Sequence, residues 1–344
     1  MIPTLYGRQR AAAAFAALIV TAGSLMLSAA PAWSLDAERP DVREFMAELS
    51  TNDGFEMQYL STVFAGIESR QSIIDAMSRP AEKVKPWFEY RAIFLTPRRI
   101  SDGVDFFRTH ETELRRIALK TGVPAEIIAA IIGVETFYGT RTGSYRAVDA
   151  LATLAFDYPP RSKFFRSELR QLFLLARDEQ LDINQLTGSY AGALGPPQFI
   201  PSSYRNFSVD GDNDGRRNLL SDWDDIFASV ANYFVVHNWQ SAQPVAVPAR
   251  LKPDNTRSDS ENDLVLRDTV ESLRRQGVDF ITDLPAKAPA ILITLAGEEG
   301  TEYWVGFQNF YAITRYNRSP MYALAVFQLS EAIAAGARKT DAAP

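Results

Sequence analysis

Residues 124–139, PAEIIAAIIGVETFYG, constrain this chain more than any other stretch. Proline suits the first turn of a helix and glycine the position just past its end. The run therefore reads as one helix bounded by Pro124 and Gly139. Apolar residues cover nearly every side of it, and a helix apolar all round belongs inside a core. One carboxylate, Glu135, sits close to the C-terminal end. Apolar surroundings disfavour its charged form, and so does the negative end of the helix dipole. Both effects push a glutamate towards staying protonated near neutral pH, the state a general acid needs. A buried glutamate paired with a cation, for which Arg141 is available, accounts for the same residues.

A chain of 344 residues is long enough for two or three compact units. Its net charge of −6 provides no basic field to attract nucleic acid. Arg8 and Arg10 precede an apolar run at 11–30, and Ala30, Pro31 and Ala32 fit a small-x-small cleavage site. Residues 1–32 thus read as a cleaved signal peptide, with a retained membrane anchor as the alternative. The chain has no cysteine, which leaves no disulfide, no thiol chemistry and no site for a lipid. The mature protein is expected to be exported, not lipidated and without a membrane span. In a Gram-negative source that means the periplasm.

Residues 35–110 read as an N-terminal helical region, with Phe45, Met46 and Leu49 on one face and Phe64, Ile67, Ile73 and Ile74 continuing it. The stretch KPWFEYR at 85–91 carries Trp87 and Tyr90, which suit either a core or a sugar-stacking face. Thr96 and Pro97 start a helix that continues over 98–120. Residues 111–240 read as the central unit and 241–312 as a small α+β insert with a strand-like piece at 290–295. Residues 313–344 close the chain with a helix at 321–335 and a tail expected to fray after Gly336.

Two loops stand out. Residues 188–204, GSYAGALGPPQFIPSSY, combine three glycines with Ser189, Gln198, Ser203 and Tyr204. Neutral donors and acceptors beside apolar surface suit a sugar, though a turn-rich connector has the same composition. Residues 210–215, DGDNDG, place Asp210, Asp212 and Asp214 at alternate positions before Gly215, like the start of a calcium loop. The twelfth position, where such a loop has glutamate, is Ser221, and Asp222, Asp224 and Asp225 lie just beyond. A bound calcium or sodium ion and an acidic run of Asx turns both fit. Glycosidases ordinarily pair two carboxylates. The nearest downstream acids here, Asp149 and Asp157, show no spacing that pairs them with Glu135. The two histidines, His110 and His237, lack zinc-ligand spacing.

The runs VETFYG (134–139), GSYAGA (188–193), QFIPSSY (198–204), SVANY (229–233) and ITRYNRS (313–319) resemble the lytic murein transglycosylase B family, glycoside hydrolase family 103. The resemblance extends from about Pro86 to the closing helix. It implies an α+β, mainly α fold, with a lysozyme-like catalytic core at 111–240. The N-terminal region at 35–110 would pack with the C-terminal helix at 320–336. It also implies an enzyme that cleaves peptidoglycan glycan strands with one acid/base, matched by Glu135, leaving 1,6-anhydro ends. Ser189, Gln198, Tyr233, Tyr316, Asn317 and Tyr322 would line the glycan groove, with Tyr90 near its edge. A family pair of arginines is Pro160-Arg161 here, so Arg161 alone would contact the peptide stem or lactyl group. A structural calcium would take Asp210, Asp212, Asp214, the Arg216 carbonyl and a last carboxylate from Asp225 or Asp224, with no cofactor needed for catalysis. A monomer is expected. A peptidoglycan-binding protein without turnover and a hydrolytic muramidase are the rival readings.

Overall fold

The computed structural model describes residues 32–78, 85–256 and 264–341, so nearly all of the expected signal segment lies outside the described residues. The chain begins with β1 (Ala32–Ser34), α1 (Pro40–Asp53), α2 (Met57–Ala65), β2 (Glu68–Arg70) and α3 (Gln71–Ser78). There follow α4 (Trp87–Phe94), α5 (Pro97–Thr109), α6 (Glu111–Thr121), α7 (Ala125–Thr136), β3 (Tyr145–Arg146), α8 (Ala147–Phe156) and α9 (Ser162–Asp178). Next come β4 (Thr187–Gly188), α10 (Pro201–Phe207) and α11 (Trp223–Val236). A further unit holds β5 (Ala246–Leu251), β6 (Asp268–Thr269), α12 (Val270–Arg275), β7 (Val278–Asp279), β8 (Pro289–Gly297) and β9 (Gly300–Gly306). The chain closes with α13 (Gln308–Tyr316) and α14 (Pro320–Asp341). The fold is α+β and mainly α.

Helix α7 is the centre of the core. Every residue from 127 to 134 is buried, and α5, α6, α11 and α14 all pack against it. Ile127, Ile128, Ile131 and Ile132 fill the gaps between those helices, each contributing about 1.5–3 kcal/mol when fully buried. Ala129, Ala130 and Gly133 let the neighbours come close. The helix stops at Thr136, two residues short of the end expected just before Gly139. Phe137 and Tyr138 adopt left-handed φ values of 51° and 59°, a conformation that costs a side-chain-bearing residue roughly 1–2 kcal/mol.

The reason is tertiary. The Tyr138 ring folds back onto Gly133, where a Cβ would lie 2.5 Å from it, and onto Gly103, where a Cβ would lie 2.2 Å from the hydroxyl. That hydroxyl donates to the Arg99 carbonyl at 2.8 Å. The helix expected over 98–120 is likewise divided at His110, whose ring is enclosed by Phe106, Trp223 and Phe227. At the C-terminus the helix continues past Gly336, where fraying was expected. Gly336 abuts Val104 and the Ala337 carbonyl accepts from Arg108.

The N-terminal strands and helices cover α8 and α9. β1 and β2 pair antiparallel, with Ala32 opposite Arg70. β2 is fastened to α8 by Glu68 N–H donating to Asp149 and Arg70 N–H donating to Thr153. Asp157 accepts from Arg39 and Ser69. Thus both acids nearest to Glu135 downstream in sequence are engaged with this N-terminal layer. Helix α14 crosses α4, α5 and α7.

The five-stranded sheet has the order β6-β8-β9-β5-β7, with all pairs antiparallel. One side covers a small core with Val270, Leu273 and Phe280. The other side carries Ile291, Ile293 and Leu295 into the main core. Trp87 of α4 donates its indole N–H to Glu302 of β9 at 3.1 Å.

Gly133→Ala should displace the Tyr138 ring and destabilise the fold by about 1–3 kcal/mol. A thermal melt that is unchanged would contradict this account of how α7 ends.

Candidate active site

Glu135 is half-buried, whereas its neighbours Val134 and Thr136 are buried. It is therefore where the core helix meets accessible space. Tyr322, in the first turn of α14, donates its hydroxyl to Glu135 Oε1 at 2.5 Å. Tyr316 closes α13 one turn earlier, and its hydroxyl donates to the Pro197 carbonyl at 2.5 Å. Burial first, and then the charge of Glu135, hold both phenols well above their ordinary pKa, so both are neutral donors. The alternative partner, Arg141, has its guanidinium over the Phe137 ring, 5.0 Å from the centre.

Tyr233, on α11, donates to the Arg315 carbonyl at 2.5 Å and meets the Tyr316 ring edge-on at 4.9 Å. Tyr90 is fully buried. Its ring touches Trp87 and Phe94, and its electrostatic influence reaches Tyr322. Tyr233, Tyr316 and Tyr322 thus form a linked wall beside Glu135, with Tyr90 behind it on α4, which packs against α14. Asn317 is buried in the turn between α13 and α14.

The loop at 188–204 is tied to the segment that leaves α7. Thr136 Oγ1 donates to the Pro196 carbonyl at 2.9 Å, and the Gln198 amide donates to the carbonyls of Thr142 and Gly195 at 3.1 and 2.9 Å. β3 and β4 pair at its base. Gly143 lies so close to Gly188 that a Cβ there would be 2.1 Å from the carbonyl oxygen. Ser189 Oγ accepts from the N–H groups of Ala191 and Ala193. Ser189 and Gln198 therefore shape the loop, and these bonds leave unused the Ser189 hydroxyl proton and the Gln198 amide oxygen. Arg161 lies just before α9, over the rings of Phe164 and Phe165 at 4.5 and 5.1 Å, on a different element from the tyrosine wall. Composition does not single out Thr136, which joins the loop to the end of α7; its place inside VETFYG is the one sequence signal for it.

In the acidic loop, carboxylate oxygens of Asp210, Asp212 and Asp214 lie within 4.8 Å of one another. Asp210 accepts from the N–H groups of Asn213, Asp214 and Gly215, and Gly215 supplies the turn with φ 88°. Arg216 follows, its N–H donating to Asp214. Asx turns and a cluster of hard oxygen donors thus coexist, and the donor set fits a calcium-like ion. Asp225 is buried and accepts from Gly211 N–H at 2.7 Å and Asn218 N–H at 2.6 Å, while Asp224 accepts from Arg116. Neither belongs to the three-carboxylate cluster. Asp225 instead clasps the two ends of the loop.

Among the described residues, no single helix is long and apolar enough to cross a membrane. The pair Glu111–Thr121 and Ala125–Thr136 passes by length and composition, but it is bent by 116°.

Residues 37–331 match the transglycosylase SLT domain family. The chain is 40% identical over 309 residues to membrane-bound lytic murein transglycosylase B of Escherichia coli K12, covering 87% of this chain and 84% of that one. The crystal structure of the soluble lytic transglycosylase SltB1 from Pseudomonas aeruginosa superposes with a TM-score of 0.80 at 49% identity, over 86% of this chain and 99% of that one. The E. coli lytic transglycosylase Slt35, solved in complex with calcium, gives a TM-score of 0.80 at 39% identity, over 88% and 95%. With the family matched across nearly the whole described chain, this protein belongs to the SLT transglycosylase family and has the lysozyme-like fold of the lytic transglycosylases.

Proposed function

We propose that this peptidoglycan lytic transglycosylase cleaves the β-1,4 bond between N-acetylmuramic acid and N-acetylglucosamine, with Glu135 as its single acid and base, and leaves 1,6-anhydro ends. The observation that carries the reading is Glu135 itself, the half-exposed carboxyl of a buried helix, met by the Tyr322 hydroxyl. Asp149 and Asp157 are bound elsewhere, which argues against their serving as a nucleophile.

Protonated Glu135 gives its proton to the bridging oxygen as the C1–O bond breaks. The carbonyl oxygen of the muramic acid N-acetyl group covers the cationic C1. The Glu135 carboxylate then takes the proton of the C6 hydroxyl, and O6 closes on C1. One proton leaves and one returns, no water is consumed, and the carboxyl ends in its starting state. Tyr322 acts as a positioning residue that orients the carboxyl for both transfers. The glycan would run along the tyrosine wall and the loop around Ser189 and Gln198, with Asn317 beside it and Arg161 further out.

The structural ion would be calcium, or sodium, held by Asp210, Asp212, Asp214 and the Arg216 carbonyl. It would fix the loop by favouring the native state and take no part in the chemistry. The reading also takes the enzyme to be exported, unlipidated and monomeric. The cleavage-like triplet at 30–32 and the lack of cysteine support the first two, although the E. coli relative is described as membrane-bound.

Glu135→Gln should lower the release of fragments from purified sacculi by on the order of 10²- to 10⁴-fold, the usual contribution of a general acid or base. Mass spectrometry of wild-type products decides the rest. Anhydro ends are expected; reducing ends would make the protein a muramidase, and no release would make it a binder. Tyr322→Phe removes one hydrogen bond to a charged group, worth about 1.5–3 kcal/mol. It should reduce kcat ten- to hundredfold with KM little changed, and unchanged kcat would remove Tyr322 from the mechanism. Calcium at a hundred times its Kd should stabilise the fold by about 2.7 kcal/mol over chelator-treated protein. Coincident melting curves would count against an ion at Asp210, Asp212 and Asp214.

A further inference from the structure

Three arginines surround Phe137, two residues beyond Glu135. The guanidinium carbons of Arg99, Arg141 and Arg98 lie 4.7, 5.0 and 5.9 Å from the centre of its ring. Arg99 is only 8% exposed and also lies 5.1 Å from the Phe94 ring. Its Nη1 donates to the Gly133 carbonyl at 2.9 Å, while its buried Nε–H has no partner. Arg98 has an exposed partner, Asp102, at 3.5 Å. Among the described residues, neither Arg99 nor Arg141 forms an ion pair with a carboxylate.

Such an arrangement is unfavourable by itself. Like charges crowd one apolar ring, and burial penalises the cation at its centre. Burial and the nearby Arg141 both depress the pKa of Arg99. An anion would relieve the repulsion, and the planar guanidinium matches a carboxylate well. In a peptidoglycan strand the sugar rings are neutral. The carboxylates belong to the peptide stems that muramic acid carries, and a muramic acid ring is what Glu135 would face.

We propose that Arg98 and Arg141, with Arg99 buried beside the same ring, form a subsite that binds a carboxylate of the peptide stem on the muramic acid at the cleaved bond. The inference rests on the reading of peptidoglycan as the substrate. It is separate from the role considered for Arg161, which lies on another element. Nothing in the sequence marks these residues as a group, because the cluster exists only once the chain turns sharply at Phe137.

The test uses Glu135→Gln protein, which leaves its ligand uncut. The probes are soluble glycan fragments that retain their peptide stems and the same fragments with the stem carboxylates converted to neutral amides. Calorimetry at low salt should show the unconverted fragments binding about tenfold more tightly, a preference that shrinks as salt is added. Adding Arg98→Ala and Arg141→Ala should abolish the preference and leave affinity for the amide-converted fragments unchanged, while Arg141→Lys should keep part of it. A preference that survives both alanine substitutions, or one missing from the parent protein, overturns the subsite. Failure of the proposed reaction shows separately, in the digestion products of wild-type protein, which would lack anhydro ends with or without stems.

Discussion

The Tyr138 ring lying across Gly133 determines where everything near Glu135 can stand. It ends α7 one residue after Glu135, drives Phe137 into a left-handed conformation and turns the chain towards the 188–204 loop. Two glycines on neighbouring helices make the contact feasible, and the hydrogen bond to Arg99 fixes it. The strain at Phe137 and Tyr138 persists because the surrounding packing over-determines it. On the proposed mechanism Glu135 gives and then recovers a proton, and such rigidity would serve it, since small displacements of a reacting group are costly to rate.

The tyrosine wall supplies the second element of control. Tyr322 and Tyr316 come from the ends of α14 and α13, so the turn between these helices sets how Glu135 is met. Their phenols are neutral and hydrogen-bonded, so they offer dipoles rather than charge. Preorganised dipoles around a site of changing charge need little rearrangement during reaction.

Much of this could be read in the sequence. The apolar wrapping of α7 and the isolated carboxylate near its end follow from residue order alone, and the strand-like run at 290–295 lies within β8. What could not be read depends on contacts between distant residues. The end of α7 is set by Gly103 and Gly133, which composition does not pair. Asp225 has the residue type of a calcium ligand, and its oxygens also accept the backbone N–H groups of Gly211 and Asn218, which residue order does not reveal. Ser189 and Gln198 were legible as polar members of a loop, but not as the bonds that shape it. The continuation of α14 past Gly336 depends on Val104 and Arg108, far away in sequence.

The indole of Trp87 bonded to Glu302 gives the sheet-bearing unit a part in this arrangement. Trp87 shares α4 with Tyr90, and α4 packs on both β8 and α14. Because the sheet also sends Ile291, Ile293 and Leu295 into the main core, it cannot be an interchangeable module. A chimera carrying the corresponding segment of a distant homologue would have to reproduce the acceptor at 302 and the aliphatic row on β8. Without them, the swap would be felt through α4 at the tyrosines beside Glu135, far from any grafted residue.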